Sequence, residues 1–481
     1  MSLAKDFMTL LSGRLSSQLI LVLSTPILTR LYAPEDFGLV SLVSSITQIP
    51  IIYLMGRLDQ AVPQSRDDEE AGRLAALAFG FACVITVFCL LLSFLGKAWL
   101  VEHYDSHELP HILMTAIVLF IPVSLSKIGK QWAAYRERHG VTASADVLGM
   151  LCQRGLPLAF FVLIGGGPWS LFLGQAFAFV TSALVFFSRL GRDCIQQLCF
   201  TPKLLWKTLI EYKNFPLFLG ASSLIDVSMW SLVSILLGDF FGLAAIAWYG
   251  QAYALLFLPI SLLNQSSSNI FYPKLAQARD KQDDLNRLAK IMTNLSFDLS
   301  LYPLFILLPL APQLWGVLLG ESFQMSGEIA QFLVPMAVVN MTFSPLSLVV
   351  NVFHQQKAFF KQSVAQHSLR ILAFYSGCLY GNILWAFAGF VIVTVPFKLW
   401  QITWLLKLMN VPIKGLISGG VIKVMYTLIC LGLLYFLRDV VHLPFIYLLS
   451  IAIVGGLGWI MMIIHYNSDA KQFLKDKGWL S

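Results

Sequence analysis

Charge is what this chain is short of. Asp, Glu, Lys and Arg make up 12% of its 481 residues, about half the ~25% usual for soluble domains. So few charges cannot clothe a water-facing surface of this length, and a soluble globule is excluded. Hydrophilic linkers are also missing, although a soluble chain this long would be expected to split into about three domains. Alternating segments of about ten residues, the mark of a membrane barrel, do not occur. Nor does G-x-x-x-x-G-K-[ST], which excludes a P-loop and ATP drive of that type. The seven cysteines, Cys83, Cys89, Cys152, Cys194, Cys199, Cys378 and Cys430, form no C-x-x-C pair. None falls in an expected outer loop, so neither a disulfide framework nor a zinc site is indicated. His103, His107 and His111 stand four apart in "HYDSHELPH", but Pro110 breaks the helix that would align them, and a solvated loop is expected there instead of a metal. The opening "MSLAKDF" lacks a basic stretch and a small-residue cleavage site, and reads as retained chain.

Apolar residues, by contrast, make up 57% of the chain, and its mean hydropathy is +0.73. Runs of about 20 apolar residues recur from end to end, each long enough to cross ~30 Å of hydrocarbon as a helix. Backbone groups in lipid must be satisfied within the segment, so these spans are expected to be helical. Fourteen are expected, near 9–31, 39–62, 74–96, 111–133, 141–164, 169–190, 216–238, 243–268, 289–312, 327–352, 364–382, 384–406, 416–437 and 444–466. Alternate connectors and both termini hold 29 of the 33 basic residues. The opposite connectors hold only Arg30, Lys97 and Arg438, and Arg154 lies inside a span. The basic side is expected to be cytoplasmic, with both termini on it. The net charge of +7 then needs no nucleic acid as partner. Trp99, Trp169, Trp315 and Trp385 fall at expected outer boundaries, Trp206 and Trp404 near inner ones.

Between spans one and two stands "TRLYAPEDFG", where Pro34 stops one helix and Glu35 and Asp36 favour the positive start of the next. About 200 residues on, "LLGDFFGLAAIAWY" repeats the pattern of an Asp-Phe turn, Phe-Gly-Leu and an apolar span. Acidic-basic inner loops follow both, "VPQSRDDEEAGRLA" and "YPKLAQARDKQDDLNRLA". An internal duplication of six spans each is expected, with the halves parallel.

The run "LTRLYAPEDFGLVSLV…GRLDQAVPQSRDDEEAGRLAALA" resembles the opening of the Wzx-type polysaccharide transporters, the lipid-linked oligosaccharide flippases of the MOP superfamily. The resemblance is strongest over 28–80 and moderate over 239–290. It implies an all-α polytopic protein with two six-helix lobes in a V-shaped arrangement, over 1–215 and 216–410, plus two further helices and a tail over 411–481. It also implies transport, without enzymatic chemistry or cofactor, of an undecaprenyl-pyrophosphate-linked glycan across the bacterial inner membrane. Membrane lipids, and a glycan polymerase with its chain-length regulator, are the partners it suggests.

Charges inside spans are costly and so mark cavities or pathways. Arg154 is the clearest; its planar fork suits a pyrophosphate or an acidic sugar, and its structural alternative is a pair with Asp146. Asp226 and Asp298 are candidate acids for ion coupling, or else helix-helix hydrogen bonders. Arg57 and Asp59 in "YLMGRLDQAV" are placed at the inner mouth, pointing in different directions. Arg370 and Lys398 are candidate cavity cations or snorkelling residues. Gln251 and Asn264, the latter opening "NQSSSN", are candidate sugar contacts or helix-joining residues. The acidic run Asp67–Glu70 is expected to be a solvated inner loop. Pro26, Gly220, Pro259 and Pro345 are candidate bending points. The last two spans, with Lys423 near the inner edge and no acid, look suited to lipid or a tail groove. Two other classes remain: a drug/cation antiporter of the same superfamily, and a membrane glycan polymerase or ligase. The latter needs a sizeable outer loop, and none here exceeds about fourteen residues.

Overall fold

The computed structural model describes residues 2–104, 106–198, 201–213, 215–258, 271, 275, 277–278, 281–412 and 420–466. These contain nineteen α-helices and no strand. The chain divides into two compact units, Met1–Ala247 and Trp248–Ser481.

The first unit holds α1 (Ser2–Leu31), α2 (Pro34–Tyr53), α3 (Asp68–Leu95), α4 (Lys97–Tyr104), α5 (Glu108–Val118), α6 (Phe120–Tyr135), α7 (His139–Ile164), α8 (Pro168–Gln197), α9 (Pro202–Glu211) and α10 (Ala221–Phe241), and the start of α11 (Leu243–Leu256). Apolar faces decide the packing: α7 lies on α1 and α8, α6 between α3 and α8, and α10 along α2. Tyr32 ties the end of α1 to α7, its hydroxyl donating to the Pro157 carbonyl at 2.6 Å. At the inner end of α2 the Tyr53 hydroxyl donates to the Pro216 carbonyl at 2.7 Å.

The second unit holds α12 (Gln282–Phe305), α13 (Leu307–Leu319), α14 (Gln324–Leu346), α15 (Val349–Val352), α16 (Gln356–Leu379), α17 (Ile383–Leu408), α18 (Gly420–Asp439) and α19 (Phe445–Tyr466). Helix α14 packs on α12, α13 and α17, and α16 pairs with α17. Helices α12 and α13 meet at a 64° bend, where Pro303 and Pro309 flank the break and each lacks an amide donor. That bend was not among the expected ones; Pro26 lies within α1, Pro345 one residue before the end of α14, and Pro259 outside the described residues.

Nine helices among the described residues are long and apolar enough to cross a membrane, ten if the bent pair is one span. The fourteen expected segments each fall on or overlap a helix, but the count of fourteen is not reached by that test. Span two is corrected at its inner end. Helix α2 stops at Tyr53, and a 3-10 turn over Leu58–Gln64 follows.

Two further expectations change. The acidic run is not a solvated loop. Asp67 caps α3, accepting from the Glu70 amide at 2.7 Å, while the Glu70 carboxylate accepts from the Arg66 amide at 2.7 Å. Two backbone amides at the start of α3 are thereby satisfied by acidic side chains of the run. Asp68 accepts from Arg136 at 2.9 Å, and Arg136 also grips Asp193 of α8. Lys423 does not sit at the lipid edge. It is fully buried in α18 and pairs with Asp298 of α12 at 2.5 Å, because Asp298 is itself buried and would otherwise stand uncompensated.

Candidate functional site

The C-terminal end of α2 is where the first unit gathers charge. Gly56 and Arg57 both adopt left-handed backbone, with φ of 55° and 58°. Glycine does so freely; for Arg57 the conformation costs about 1–2 kcal/mol. This double reversal turns the chain into the 3-10 turn and buries Asp59, which is 5% exposed. Arg57 Nε is enclosed with no hydrogen-bond partner. Lys127 of α6 makes no hydrogen bond or ion pair among the described residues, yet its charge and that of Arg57 both act on Asp59. Burial pushes the Asp59 carboxyl above its ordinary range, while Lys127 and then Arg57 pull it down. Two cations thus surround one acid, a net charge of about +1. Lys127 also lines a cavity of about 250 Å³ between α2, α5, α6 and α8.

Arg154 sits in mid-α7 with Nε enclosed and unpartnered. The alternative partner, Asp146, is taken: its carboxylate accepts from Lys130 at 3.1 and 3.2 Å. Among the described residues Arg154 therefore has no ion pair. An unpaired guanidinium in a spanning helix is expensive unless water or a ligand reaches it.

In the second unit the candidates are more enclosed. Arg370 is buried, bonded to His367 at 2.9 Å and stacked on Phe390 at 4.5 Å from the ring centre. Its position is interior, not snorkelling. Lys398 donates to Gln401 at 2.9 Å and lies 3.8 Å over the Phe343 ring. Gln251 is half-buried on α11. Asp298 carries Lys423, and its carbonyl accepts from the Trp459 indole at 3.0 Å. Asn264 lies outside the described residues, as does the side chain of Asp226, whose backbone belongs to α10. Sequence reasoning missed Lys127 as a cavity residue: a lysine near the end of an apolar run reads as a connector charge. The signal that could have found it is the helix period, which puts Lys127 on the same face as Val123 and Phe120.

At the N-terminal ends of α2 and α11 the two repeated turns meet. A Cβ on Gly38 would stand 1.9 Å from the Leu243 carbonyl oxygen, so only glycine allows this backbone approach. Asp36 caps α2, accepting from the Ala33 amide at 3.2 Å. Its counterpart Asp239 is held from α4 by the Tyr104 hydroxyl at 2.7 Å and the His103 Nε2 at 3.2 Å. The expected loop around His103 is therefore a short helix fastened to α10.

With this geometry in hand, comparison with known proteins places the chain. It matches the family described as "Polysaccharide biosynthesis protein" over residues 27–328. The chain belongs to the polysaccharide biosynthesis protein family. A search of curated sequences returns no match. Among solved structures, this family member is similar to the lipid II flippase MurJ in an inward closed conformation, with a TM-score of 0.72, 14% identity, and 95% and 98% of the two chains covered. It is similar to an inward-facing multidrug resistance MATE transporter of the MOP superfamily, at TM-score 0.59, 16% identity, and 83% and 94% covered. A MOP superfamily transporter from Pyrococcus furiosus, described as having reversed polarity of its binding pocket, matches at TM-score 0.54, 14% identity, and 86% and 95% covered. At such identities the likeness concerns the fold, which is that of the MOP superfamily. This family member is thus a multi-pass membrane protein.

Proposed function

We propose that this protein moves an undecaprenyl-pyrophosphate-linked glycan, a repeat unit of O-antigen, capsule or exopolysaccharide, from the cytoplasmic to the periplasmic leaflet of the bacterial inner membrane. The observation that carries the reading is the cationic character of the first unit: Arg57 and Lys127 bear together on one buried acid, Asp59, and Arg154, elsewhere in mid-α7, has an enclosed Nε and no ion pair among the described residues. A sugar-pyrophosphate head cannot cross ~30 Å of hydrocarbon bare, and enclosed cations are what it would seek. One structural neighbour is a lipid II flippase and another a multidrug resistance transporter. A site with surplus positive charge favours the anionic cargo over a cationic drug.

In this reading fourteen spans form lobes over 1–215 and 216–410 followed by two helices over 411–481, both termini are cytoplasmic, and transport proceeds by alternating access with no bond made or broken. Arg154, Arg57, Asp59, Arg370, Lys398, Gln251 and Asn264 serve the cargo, an ion gradient drives the cycle, and Asp226 is the remaining coupling candidate. Asp298, bound to Lys423, serves that role only if the pair opens. Partner proteins are a polymerase and its chain-length regulator. The test is reconstitution of the full chain into vesicles carrying the lipid-linked glycan, with arrival in the far leaflet read by an impermeant glycosidase. Arrival at the rate of protein-free vesicles, alongside efflux of a cationic dye, would favour the antiporter.

A further inference from the structure

Lys127 lines a cavity of the first unit. That cavity is formed where α2, α5, α6 and α8 splay apart, and its volume of about 250 Å³ is below the ~300–1,000 Å³ of sites that enclose drug-sized ligands. It suits one ring, not a chain of them. Its lining is mixed in a specific way. Ser44, Thr47 and Gln48 come from α2, Gln175 and the rings of Phe172 and Phe179 from α8, and Lys127 from α6. Ser44 donates weakly to Gln175 at 3.4 Å, and Thr47 is turned back onto its own helix, bonded to the Val43 carbonyl at 2.8 Å. That leaves the two glutamine amides with donors and acceptors to spare.

Hydroxyl and amide groups beside flat apolar rings are what a pyranose needs. Its equatorial hydroxyls bond the amides while its C–H face lies on an aromatic ring. Lys127 adds a demand for negative charge. The charges bearing on it are Asp59 and Arg57 from the α2 turn, so the set of three keeps about one positive charge in excess. A pyrophosphate would call for several convergent cations; in the lining of this cavity, among the described residues, Lys127 is the one charged side chain.

We propose that this cavity binds one acidic monosaccharide of the glycan, with Lys127 Nζ paired to the sugar carboxylate and Gln175 and Gln48 on its hydroxyls. The pocket selects among repeat units, and Lys127 is a specificity-determining residue. The proposal rests on the flippase reading and narrows its cargo to glycans carrying a carboxylate.

The experiment uses the full chain in vesicles with two synthetic lipids that share one polyprenyl pyrophosphate. One bears a disaccharide ending in glucuronic acid, the other the same disaccharide ending in glucose. The wild type is expected to move the acidic lipid faster by about tenfold, the scale of one charge-assisted hydrogen bond. Lys127→Met, which keeps the aliphatic stem, is expected to collapse that ratio toward one. Lys127→Arg, which keeps the charge, is expected to hold it above one. Equal rates in the wild type overturn the proposal. So does a Lys127→Met variant that slows both lipids alike, since the ammonium would then serve the shared pyrophosphate or the fold. Both outcomes leave the flippase reading standing; a wild type that moves neither lipid overturns both.

Discussion

Arg154 and Lys423 are both cations in spanning helices, and their surroundings separate them. Lys423 is fully buried and paired; Arg154 has an enclosed Nε and, among the described residues, no ion pair. A partnered buried ion holds structure, whereas an unpartnered one waits for a ligand. Arg154→Ala is accordingly expected to abolish glycan arrival in vesicles, and Arg154→Lys to keep part of it, because the charge remains while the planar fork is lost. The alanine variant should still insert at normal levels, alanine being easier to bury; full transport by it would remove Arg154 from the site. For the pair, Lys423→Met or Asp298→Asn alone should destabilise the detergent-solubilised protein by about 3–5 kcal/mol, the cost of leaving a buried charge without its partner. Replacing both together, Lys423→Met with Asp298→Leu, should recover most of that loss. Thermal unfolding followed by tryptophan fluorescence measures all three, and Trp459, bonded to the Asp298 carbonyl, is a local reporter.

Helices were largely legible in the sequence because a run of some twenty apolar residues in lipid has few other structures open to it. What the sequence hid lies between elements. Lys127 and Lys423 both read as end-of-span charges, and only packing shows that one lines a cavity and the other is sealed against Asp298. The stop of α2 at Tyr53 was equally hidden, since "LMGRLDQAV" is apolar enough to extend a span, and the left-handed pair at Gly56 and Arg57 appears only as backbone geometry. The acidic run misled for a similar reason. Charge density there suggested a loop in water, but Asp67 and Glu70 accept backbone amides at the start of α3, Asp68 binds Arg136, and Glu69 faces Arg73. Arg136 reaches Asp68 and Asp193 at once, so it clasps the inner ends of α3 and α8. A lysine ammonium is a compact point charge without the planar fork, and holds the two carboxylates less well. Arg136→Lys should therefore raise amide hydrogen exchange in the first turn of α3 and the last of α8, while the outer ends of both helices exchange as before. Uniform exchange along α3 would show that the clasp carries no weight.

Across the whole molecule, the distribution of 33 basic residues sets an orientation that reporter fusions can read. Fusions at 67, 137, 280 and 475 should report the cytoplasm, and fusions at 36, 105, 240 and 440 the far side. A fusion at 280 reporting the far side would break the parallel duplication, because an even number of spans must separate the two repeated turns.

Those turns come so close at Gly38 and Leu243 that a Cβ on Gly38 would meet the Leu243 carbonyl oxygen, and this makes residue 38 a clock. Any side chain there is a wedge whose size is known in advance, so the residues glycine, alanine and valine form a graded series in one variable. Each step should shorten the time the turns spend together and shift the equilibrium between joined and parted forms in the same direction, by as much as the two forms differ in tolerating the wedge. Single-molecule energy transfer between dyes at 36 and 240 would read the dwell times directly. With transport limited by parting of the turns, Gly38→Ala should run faster than the wild type; with transport limited by their rejoining, it should run slower. A single missing methyl would thereby report which half of the cycle sets its pace.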